Sequence, residues 1–289
     1  MASRKPPSSR AQFQQVLTEA INDLVEHGFD SQARVDEWVR KIELAARASL
    51  VPEVTLQRSV RDMLRQTYDR VADSERLLTR HNGISRFTLE SIKPKLRAEL
   101  DRRIHASASL IRLNREASIQ RTLQRFQGWA TSVPIGGTEA AKRSEVKEGV
   151  KRGIGGLPFE ERRVVIDQGH KLVSAINDIV ATDGGAIAAV WHSYWREAGY
   201  NYRDEHKERD GHVYVVRDSW AIRKGLIKLA GHQYTDEITA AGEEVFCRCY
   251  MTYVYALRDL PSEMVTSKGK EALLAARGRI GAWQTGAPL

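Results

Sequence analysis

The chain has two cysteines among its 289 residues, and one residue separates them. A disulfide between cysteines this close would form a small, strained ring, so the pair cannot cross-link a fold of this size. We therefore expect reduced thiols in a cytosol-like compartment. Whatever Cys247 and Cys249 do, they do it as thiols or as ligands.

Long apolar segments are also missing from the sequence. No run of eighteen apolar residues occurs, which predicts that no segment spans a membrane. Residues 1–10 carry charge, proline and serine with no apolar stretch behind them. This composition predicts a flexible arm and is unlike a secretory signal.

The common sequence signatures of enzymes are absent as well. The chain contains no Walker loop, no dinucleotide fingerprint, no Gly-x-Ser-x-Gly elbow and no His-Glu-x-x-His. The aromatic residues amount to only 7% and crowd between residues 191 and 220. Such a cluster could stack on bases, but it is more typical of the core of a small domain. We predict a protein without enzymatic activity.

The sequence does contain the patterns of amphipathic helices. Apolar residues from Phe13 to Val25 recur at the three- and four-residue spacing of a buried helical stripe, and similar patterns continue to Trp129. The patterns predict a helical region over 11–130. Glycine pairs then frame 131–158, which favours a linker, or a hinge with a short helix inside, and places a domain boundary there.

The character of the chain changes after residue 158. A helical pattern up to Thr182 precedes two short runs with β-like composition, at 212–216 and 249–255. These features predict an α+β domain over 159–260, followed by a tail over 261–289 that is ordered only against a partner. The predicted fold class is mainly α, with a helical N-terminal region and a small α+β C-terminal domain.

The formal net charge is +8, which favours a polyanionic neighbourhood. Much of the charge lies along one helical pattern, and arginine suits phosphate and carboxylate groups. One interpretation is a surface for DNA or an acidic partner. The other is a solvated helix face with interleaved acidic residues. The residues concerned are Arg97, Arg102, Arg103, Arg112, Arg115, Arg121 and Arg125.

The last third of the chain concentrates soft metal ligands. Two cysteines at this spacing project from the same face of an extended strand. Imidazole and thiolate together suit zinc, although structural zinc sites usually place two to four residues between their cysteines. The alternative is that the cysteines are small buried apolar residues and His206 a hydrogen-bonded core histidine. The candidate ligands are His206, His212, Cys247 and Cys249, with His192 and His232 as further candidates.

A catalytic interpretation of the same region uses its carboxylates. Asp204, Glu205 and Asp210 surround His206 in sequence and could supply acid–base groups or hard metal ligands, as in a nuclease. A short loop rich in charge is more often simply solvated. We keep a metal-dependent nuclease and a non-specific DNA-binding protein as the rival hypotheses.

The order of residues in this region resembles the phage Mu F-like minor head proteins, also called phage head morphogenesis proteins. The resemblance rests on Arg203-x-x-His206, Gly211, a loop of about thirty-five residues, and Cys247-Arg248-Cys249 leading into a strand. It covers roughly residues 186–260. The chain departs from the family where a Pro-Asn or similar pair commonly precedes the cysteines, since Val245-Phe246 stands there.

The resemblance implies a minor structural protein of a tailed bacteriophage. Such proteins lie inside the capsid in few copies, near the portal vertex, and assist head assembly or genome delivery. The implied partners are the portal protein, the major capsid protein and packaged DNA, with an oligomeric arrangement around the portal. The implied location is the virion interior after synthesis in the host cytoplasm.

The resemblance gives the motif residues structural roles. They would hold the C-terminal domain together without a cofactor or with one structural zinc. We expect Arg203 and Arg248 to bond carboxylates such as Asp204 or Glu243, and Gly211 to adopt positive φ. The structural residues are Arg203, His206, Gly211, Cys247, Arg248 and Cys249.

Overall fold

A computed structural model of the chain describes residues 8–139 and 142–285, with side chains up to residue 277. It is mainly helical with one small three-stranded sheet near the C-terminus, which confirms the predicted fold class. Most of the predicted arm, residues 1–7, lies outside the described residues. Ser9 and Arg10 belong to the first helix, because the Ser8 hydroxyl caps it by accepting the Ala11 N–H.

Five helices cover residues 9–130. They are α1 (Ser9–His27), α2 (Gln32–Ser49), α3 (Glu53–Val71), α4 (Ser74–Arg80) and α5 (Arg86–Ala130). Helices α3 and α4 are separate because Asp73 begins a new helix, its carboxylate accepting the Arg76 N–H.

Two further helices follow, α6 (Arg143–Gly155) and α7 (Leu157–Asp183). The predicted linker at 131–158 therefore contains a helix of thirteen residues. The chain forms two compact units, and none of the three divisions between them falls in that linker. Unit 1 comprises the chain up to Asp62 together with Ile104–Val165, and unit 2 comprises Met63–Arg103 together with the chain from Ile166.

This division differs from the single boundary expected at 131–158. Helices α3, α5 and α7 each contribute residues to both units, so the divisions fall inside helices. Glycine, proline and polar runs mark linkers but do not mark a division inside a continuous helix.

Unit 1 is built around the apolar stripe of α1. Every turn of that helix supplies buried side chains, which pack with α2, the end of α5 and α6. The three- and four-residue spacing in the sequence is therefore the core face of α1. The buried α1 residues are Phe13, Leu17, Ala20, Ile21, Leu24 and Val25.

Unit 2 contains the sheet. Its further elements are β1 (Ala188–His192), α8 (Asp204–Glu208), β2 (Val213–Val215), α9 (Trp220–Arg223), β3 (Tyr250–Val254) and α10 (Ser267–Thr285). The strands are antiparallel in the order β2-β1-β3. Strands β2 and β3 lie within the two runs predicted from sequence, whereas β1 lies outside both of them.

Part of the predicted tail is ordered within the chain itself. Ala272 and Leu273 of α10 pack against the apolar cluster of the sheet in unit 2. This contact orders the start of the tail without a partner, contrary to the expectation. In the described part of the chain, no helix has the length and apolar character needed to cross a membrane.

A buried histidine links three segments of unit 2. His81 is 1% exposed, and its Nδ1 lies 2.8 Å from the Tyr255 hydroxyl while its Nε2 lies 3.0 Å from Asn177 Oδ1. Burial lowers the pKa of His81 below its usual value. The folded protein therefore favours the neutral imidazole.

We expect this histidine to make folding sensitive to mild acid. A lowered pKa in the folded state gives stability that is complete above the unfolded pKa of about 6.5 and is lost as the pH falls below it. The free energy of unfolding from denaturant titrations at pH 7.5 and 5.5 should therefore fall less for His81→Gln than for the unchanged chain. The exposed His105→Gln variant is the control. An equal fall in His81→Gln and the unchanged chain would contradict the assignment.

Candidate metal centre

Three side chains of unit 2 meet in one buried centre. His206 projects from the short helix α8 and is 2% exposed. Cys247 and Cys249 lie just before β3 and are 1% and 3% exposed. Because alternate residues of an extended segment share a face, both sulfurs point the same way and Arg248 points outward.

The ligand atoms of these residues converge. His206 Nδ1 lies 3.6 Å from Cys247 Sγ and 3.5 Å from Cys249 Sγ, and all three atoms lie within 4.8 Å of one another. It is the only group of three or more potential metal-ligating side chains in residues 8–139 and 142–277. A possible metal-binding cluster of one imidazole and two thiols therefore exists in the fold.

The opposite nitrogen of His206 faces a carboxylate. Nε2 is buried, has no hydrogen-bond partner within the described chain, and lies 3.6 Å from Glu244 Oε2. Glu244 also pairs with Arg203 Nε at 2.5 Å, and Arg203 donates to the Val245 carbonyl at 3.1 Å. Metal-bound histidines characteristically present their second nitrogen to a carboxylate, so His206 has the orientation of a ligand.

The carboxylate that pairs with Arg203 is not one of those expected. Asp204 and Glu243 were the predicted partners, and Glu244 takes that place. Glu243 instead accepts the backbone N–H of Ala240 at 2.8 Å. Because the Glu243 carboxylate is bonded within its own turn, it does not pair with Arg203.

The two thiols have different electrostatic surroundings. The contact with Cys247 lowers the pKa of Cys249, and the Tyr194 backbone N–H and Ser193 hydroxyl add to this effect. The same contact and burial raise the pKa of Cys247, against the effect of the Gly242 N–H, which donates to its sulfur at 3.4 Å. One negative charge on the pair is favoured, and a cation between the sulfurs would favour two.

Trp191 packs against the buried centre. Its indole is fully buried and packs edge-on against the His206 ring, with 5.3 Å between ring centroids. Its Nε1 has no hydrogen-bond partner in the described residues. The indole N–H nevertheless interacts with the Cys249 thiol and contributes to the lowering of its pKa.

Further contacts fix the segment that carries the cysteines. Asp167 of α7 accepts the Phe246 N–H at 2.6 Å, and Phe246 has the positive φ of 61° that a bulky residue rarely adopts. The Tyr200 hydroxyl donates to the Phe246 carbonyl and accepts the Arg248 N–H at 3.1 Å. Strain at Phe246 is therefore held in place by contacts on both sides.

The other two motif residues also have structural surroundings. The Arg248 guanidinium lies over the Tyr200 ring, 5.5 Å from its centre, instead of bonding a carboxylate as expected. Gly211 has φ of 82°, as expected, and its N–H donates to the Trp191 carbonyl at 2.8 Å. Gly211 thus turns the chain between α8 and β2.

Three histidines proposed from sequence lie outside the cluster. His212 is exposed beside buried Val213. His232 Nδ1 lies 3.0 Å from the Val213 carbonyl. His192 stacks on Tyr250 and bonds the Thr252 hydroxyl at 2.8 Å. The predicted four-ligand set is therefore reduced to three, and of its histidines only His206 reaches the sulfurs.

The carboxylates of the nuclease hypothesis do not gather. Asp210 accepts the Ser193 N–H at 2.8 Å and the Trp195 indole N–H at 2.9 Å, and these bonds lower its pKa. Asp204 and Glu205 are exposed on α8. Within the described chain these carboxylates form no cluster of hard metal ligands with His206.

Most of the predicted basic surface is paired within its own unit. Glu99 binds both Arg102 and Arg103, at 2.7 and 2.6 Å. Weaker or backbone contacts engage Arg97 with Asp101, Arg121 with Ser118 and Glu160, and Arg125 with the Gly149 carbonyl. Arg112 is exposed. This pattern favours the interpretation of a helix face with interleaved acids.

Arg115 bonds to two other segments of unit 1. It donates to Glu161 at 2.6 Å and to the Val51 carbonyl at 2.9 Å, and both side chains of the ion pair are largely buried. We expect Arg115→Ala to lower the free energy of unfolding by about 3 kcal/mol, because Glu161 would lose its partner. Arg112→Ala removes an exposed arginine of the same helix and should change it by less than about 0.5 kcal/mol. Equal effects in denaturant titrations would contradict this assignment.

The chain was compared with models of known protein families, with curated proteins and with solved structures, and nothing matches. The resemblance to the Mu F-like proteins therefore rests on the motif residues alone.

Proposed function

We propose that this chain is a minor structural protein of a tailed-phage head, without enzymatic activity, whose C-terminal module is braced by a structural zinc. One observation carries the proposal: His206, Cys247 and Cys249 of the Mu F-like motif meet in one buried centre, and the other motif residues make contacts around it. Arg203 reaches Glu244, His206 reaches both sulfurs, and Arg248 covers Tyr200. These are contacts that tie separate loops together.

Zinc suits the ligands present. Two thiolates and one imidazole are soft to borderline donors, which favours zinc over magnesium, calcium or manganese. Ser193, whose hydroxyl lies 3.8 Å from Cys249 Sγ, or a water would supply the fourth position of a tetrahedron. A bound cation would neutralise the thiolates and would be held by the buried imidazole of His206.

Catalytic zinc sites also have three protein ligands, so the number of ligands does not separate a structural zinc from a catalytic one. The residues around the ligands make that distinction. The nearest carboxylate, Glu244, is paired with Arg203. Asp210, Asp204 and Glu205 lie outside the cluster, as described above. A centre without a free acid or base beside it supports a brace more than a nuclease.

The charge of the chain fits the proposed location. A net charge of +8 beside packaged DNA would release counterions from phosphate. Because most arginines of α5 have internal partners, we expect weak and general contact with DNA. A dedicated DNA-binding protein would instead bind duplex DNA tightly with a steep salt dependence.

Co-expression with the portal and major capsid proteins of the same phage genome tests the proposal. We expect the chain to co-sediment with portal rings or assembled heads and to leave duplex DNA uncut in the presence of zinc, magnesium or manganese. Failure to associate with either particle would contradict it. So would metal-dependent DNA cleavage that His206→Ala abolishes while the fold persists.

A further inference from the structure

Two neighbouring segments of unit 2 carry positive charge and no negative charge. Residues 219–231, which contain α9, have three cationic side chains, and residues 264–270, which include the start of α10, have two. Neither segment contains an aspartate or a glutamate. We call the five cations the lysine patch. They are Arg223, Lys224, Lys228, Lys268 and Lys270.

The two segments of the lysine patch contact each other directly. The Lys228 N–H donates to the Met264 carbonyl at 2.8 Å, and Lys268 Nζ donates to the Lys224 carbonyl at 2.9 Å. Both segments also place buried side chains in the apolar cluster of the sheet. The five charges are thus gathered on segments that the core of unit 2 holds in place.

The charges of the lysine patch are exposed and have no acidic partner. All five residues are exposed to solvent. None of the five side chains has a carboxylate within 4.0 Å in the part of the chain whose side chains are described. Lys224 lies over the Trp220 ring, 5.8 Å from its centre, and Lys268 bonds a backbone carbonyl. These cations therefore differ from the arginines of α5, most of which have partners within their own unit.

The acids closest to the lysine patch in sequence do not cancel its charge. Three acids flank the two segments, so five positive charges stand against three negative ones and two remain in excess. The flanking acids are Asp218, Glu263 and Glu271. Asp236 and Glu237 are both engaged by Arg217. The lysine patch therefore favours a partner with repeated negative charge.

The composition of the lysine patch suits phosphate groups better than a protein surface. Four of its five cations are lysines, which are depleted in protein–protein interfaces, and the centre of such an interface is apolar. In the two segments, both fully described, no large apolar side chain is exposed. The half-buried Trp220, Ile222 and Leu229 pack against the apolar cluster of the sheet. Binding to a phosphate backbone requires only the charges.

We propose that the lysine patch binds the phosphate backbone of duplex DNA. The proposal deepens the head-protein function and rests on it, because packaged DNA is the duplex that a head contains, but it does not depend on zinc. It assigns the contact with DNA to the C-terminal module instead of the arginines of α5. Because phosphate contacts carry no base information, the lysine patch should bind all sequences equally.

The salt dependence of DNA binding by the full-length chain tests this assignment. The logarithm of the binding constant falls with the logarithm of the salt concentration, by about 0.9 for each phosphate contacted. In titrations of a fluorescent duplex between about 50 and 200 mM salt, Lys224→Gln/Lys228→Gln/Lys268→Gln should reduce this slope by about 2 to 3. The variant should also bind at least about tenfold more weakly at the lowest salt concentration.

A second triple variant removes the same net charge elsewhere. Lys41→Gln/Lys95→Gln/Lys142→Gln replaces exposed lysines that each pair with a carboxylate. Its slope should change by less than about 1, because these lysines lie outside the lysine patch. Since all six substitutions are at exposed positions, both variants should keep the unfolding midpoint of the unchanged chain.

Equal slopes and affinities of the two triple variants would overturn the proposal, as would the absence of DNA binding by the unchanged chain at about 50 mM salt. Tighter binding to polyglutamate or to phosphatidylglycerol vesicles than to DNA at equal charge would show a carboxylate or lipid partner and would also overturn it. In sedimentation with DNA-free portal rings, both variants should behave like the unchanged chain. A failed contact with DNA is thereby distinguished from a failed head-protein function.

Discussion

Cys247→Ser should yield a purified chain without zinc, whereas the unchanged chain should carry one zinc per molecule. We expect the substitution to lower the free energy of unfolding by about 4 kcal/mol, the stabilisation given by a ligand at a thousand times its Kd. The physical reason is that the unfolded chain has no preformed site, so metal binding adds to folding. Elemental analysis gives the stoichiometry, and denaturant titration gives the stability.

His212→Ala is the matched control for this experiment. His212 was a candidate metal ligand in sequence, as His206 was, but it lies exposed outside the cluster. The His212→Ala variant should keep its zinc and its stability, while His206→Ala should lose both. Zinc retained by Cys247→Ser, or zinc lost from His212→Ala, would contradict the assignment of the ligands.

Glu244→Gln should weaken zinc binding by about ten- to a hundredfold, the usual effect of removing a carboxylate that orients a metal-bound histidine. The amide keeps the size of the side chain but removes the charge that faces His206 Nε2 and pairs with Arg203. Competition with a chromophoric chelator measures the change in Kd. The overall fold should persist, because the three ligands are unchanged.

Glu243→Gln provides a control at the adjacent position. Its carboxylate contacts the Ala240 N–H and does not reach the histidine. We expect its zinc affinity to stay within about twofold of the unchanged chain, below the effect of any lost contact with the site. Equal losses in the two variants would show that the general charge of the loop matters, and not the contact between Glu244 and His206.

Local sequence patterns predicted much of the helical fold. The three- and four-residue spacing in 11–27 is the buried face of α1, and Ser31 begins α2 through a side-chain bond to the Arg34 N–H. These signals depend only on residues close together in the sequence, so they can be recognised without the structure. The division into two units is not, because it depends on how distant segments pack.

Only part of the candidate site could be predicted from the sequence. The spacing of Cys247 and Cys249 predicted two sulfurs on one face, since that follows from strand geometry alone. Only the structure separates the two histidines as candidate ligands, because it buries His206 of α8 and leaves His212 exposed. Glu244, Trp191 and Asp167 were missed because each acts through a contact that no sequence spacing reports.

The resemblance to the Mu F-like motif predicted which residues belong to one structural group, which composition alone does not indicate. It grouped Arg203 and Gly211 with the cysteines, and all of them lie around the same centre. It did not specify the partners of these residues, since Arg203 pairs with Glu244 and Arg248 packs on Tyr200. Residue types were thus easier to predict than contacts.

Zinc-edge X-ray absorption of the purified full chain is the sharpest test of the proposed metal centre, because it reports the atoms around the metal. We expect two sulfurs at about 2.3 Å and an imidazole nitrogen at about 2.0–2.1 Å. Both sulfurs should disappear from the spectrum if Cys247 and Cys249 are replaced together. A chain that binds no stoichiometric zinc, or a metal surrounded only by oxygen and nitrogen, would contradict it.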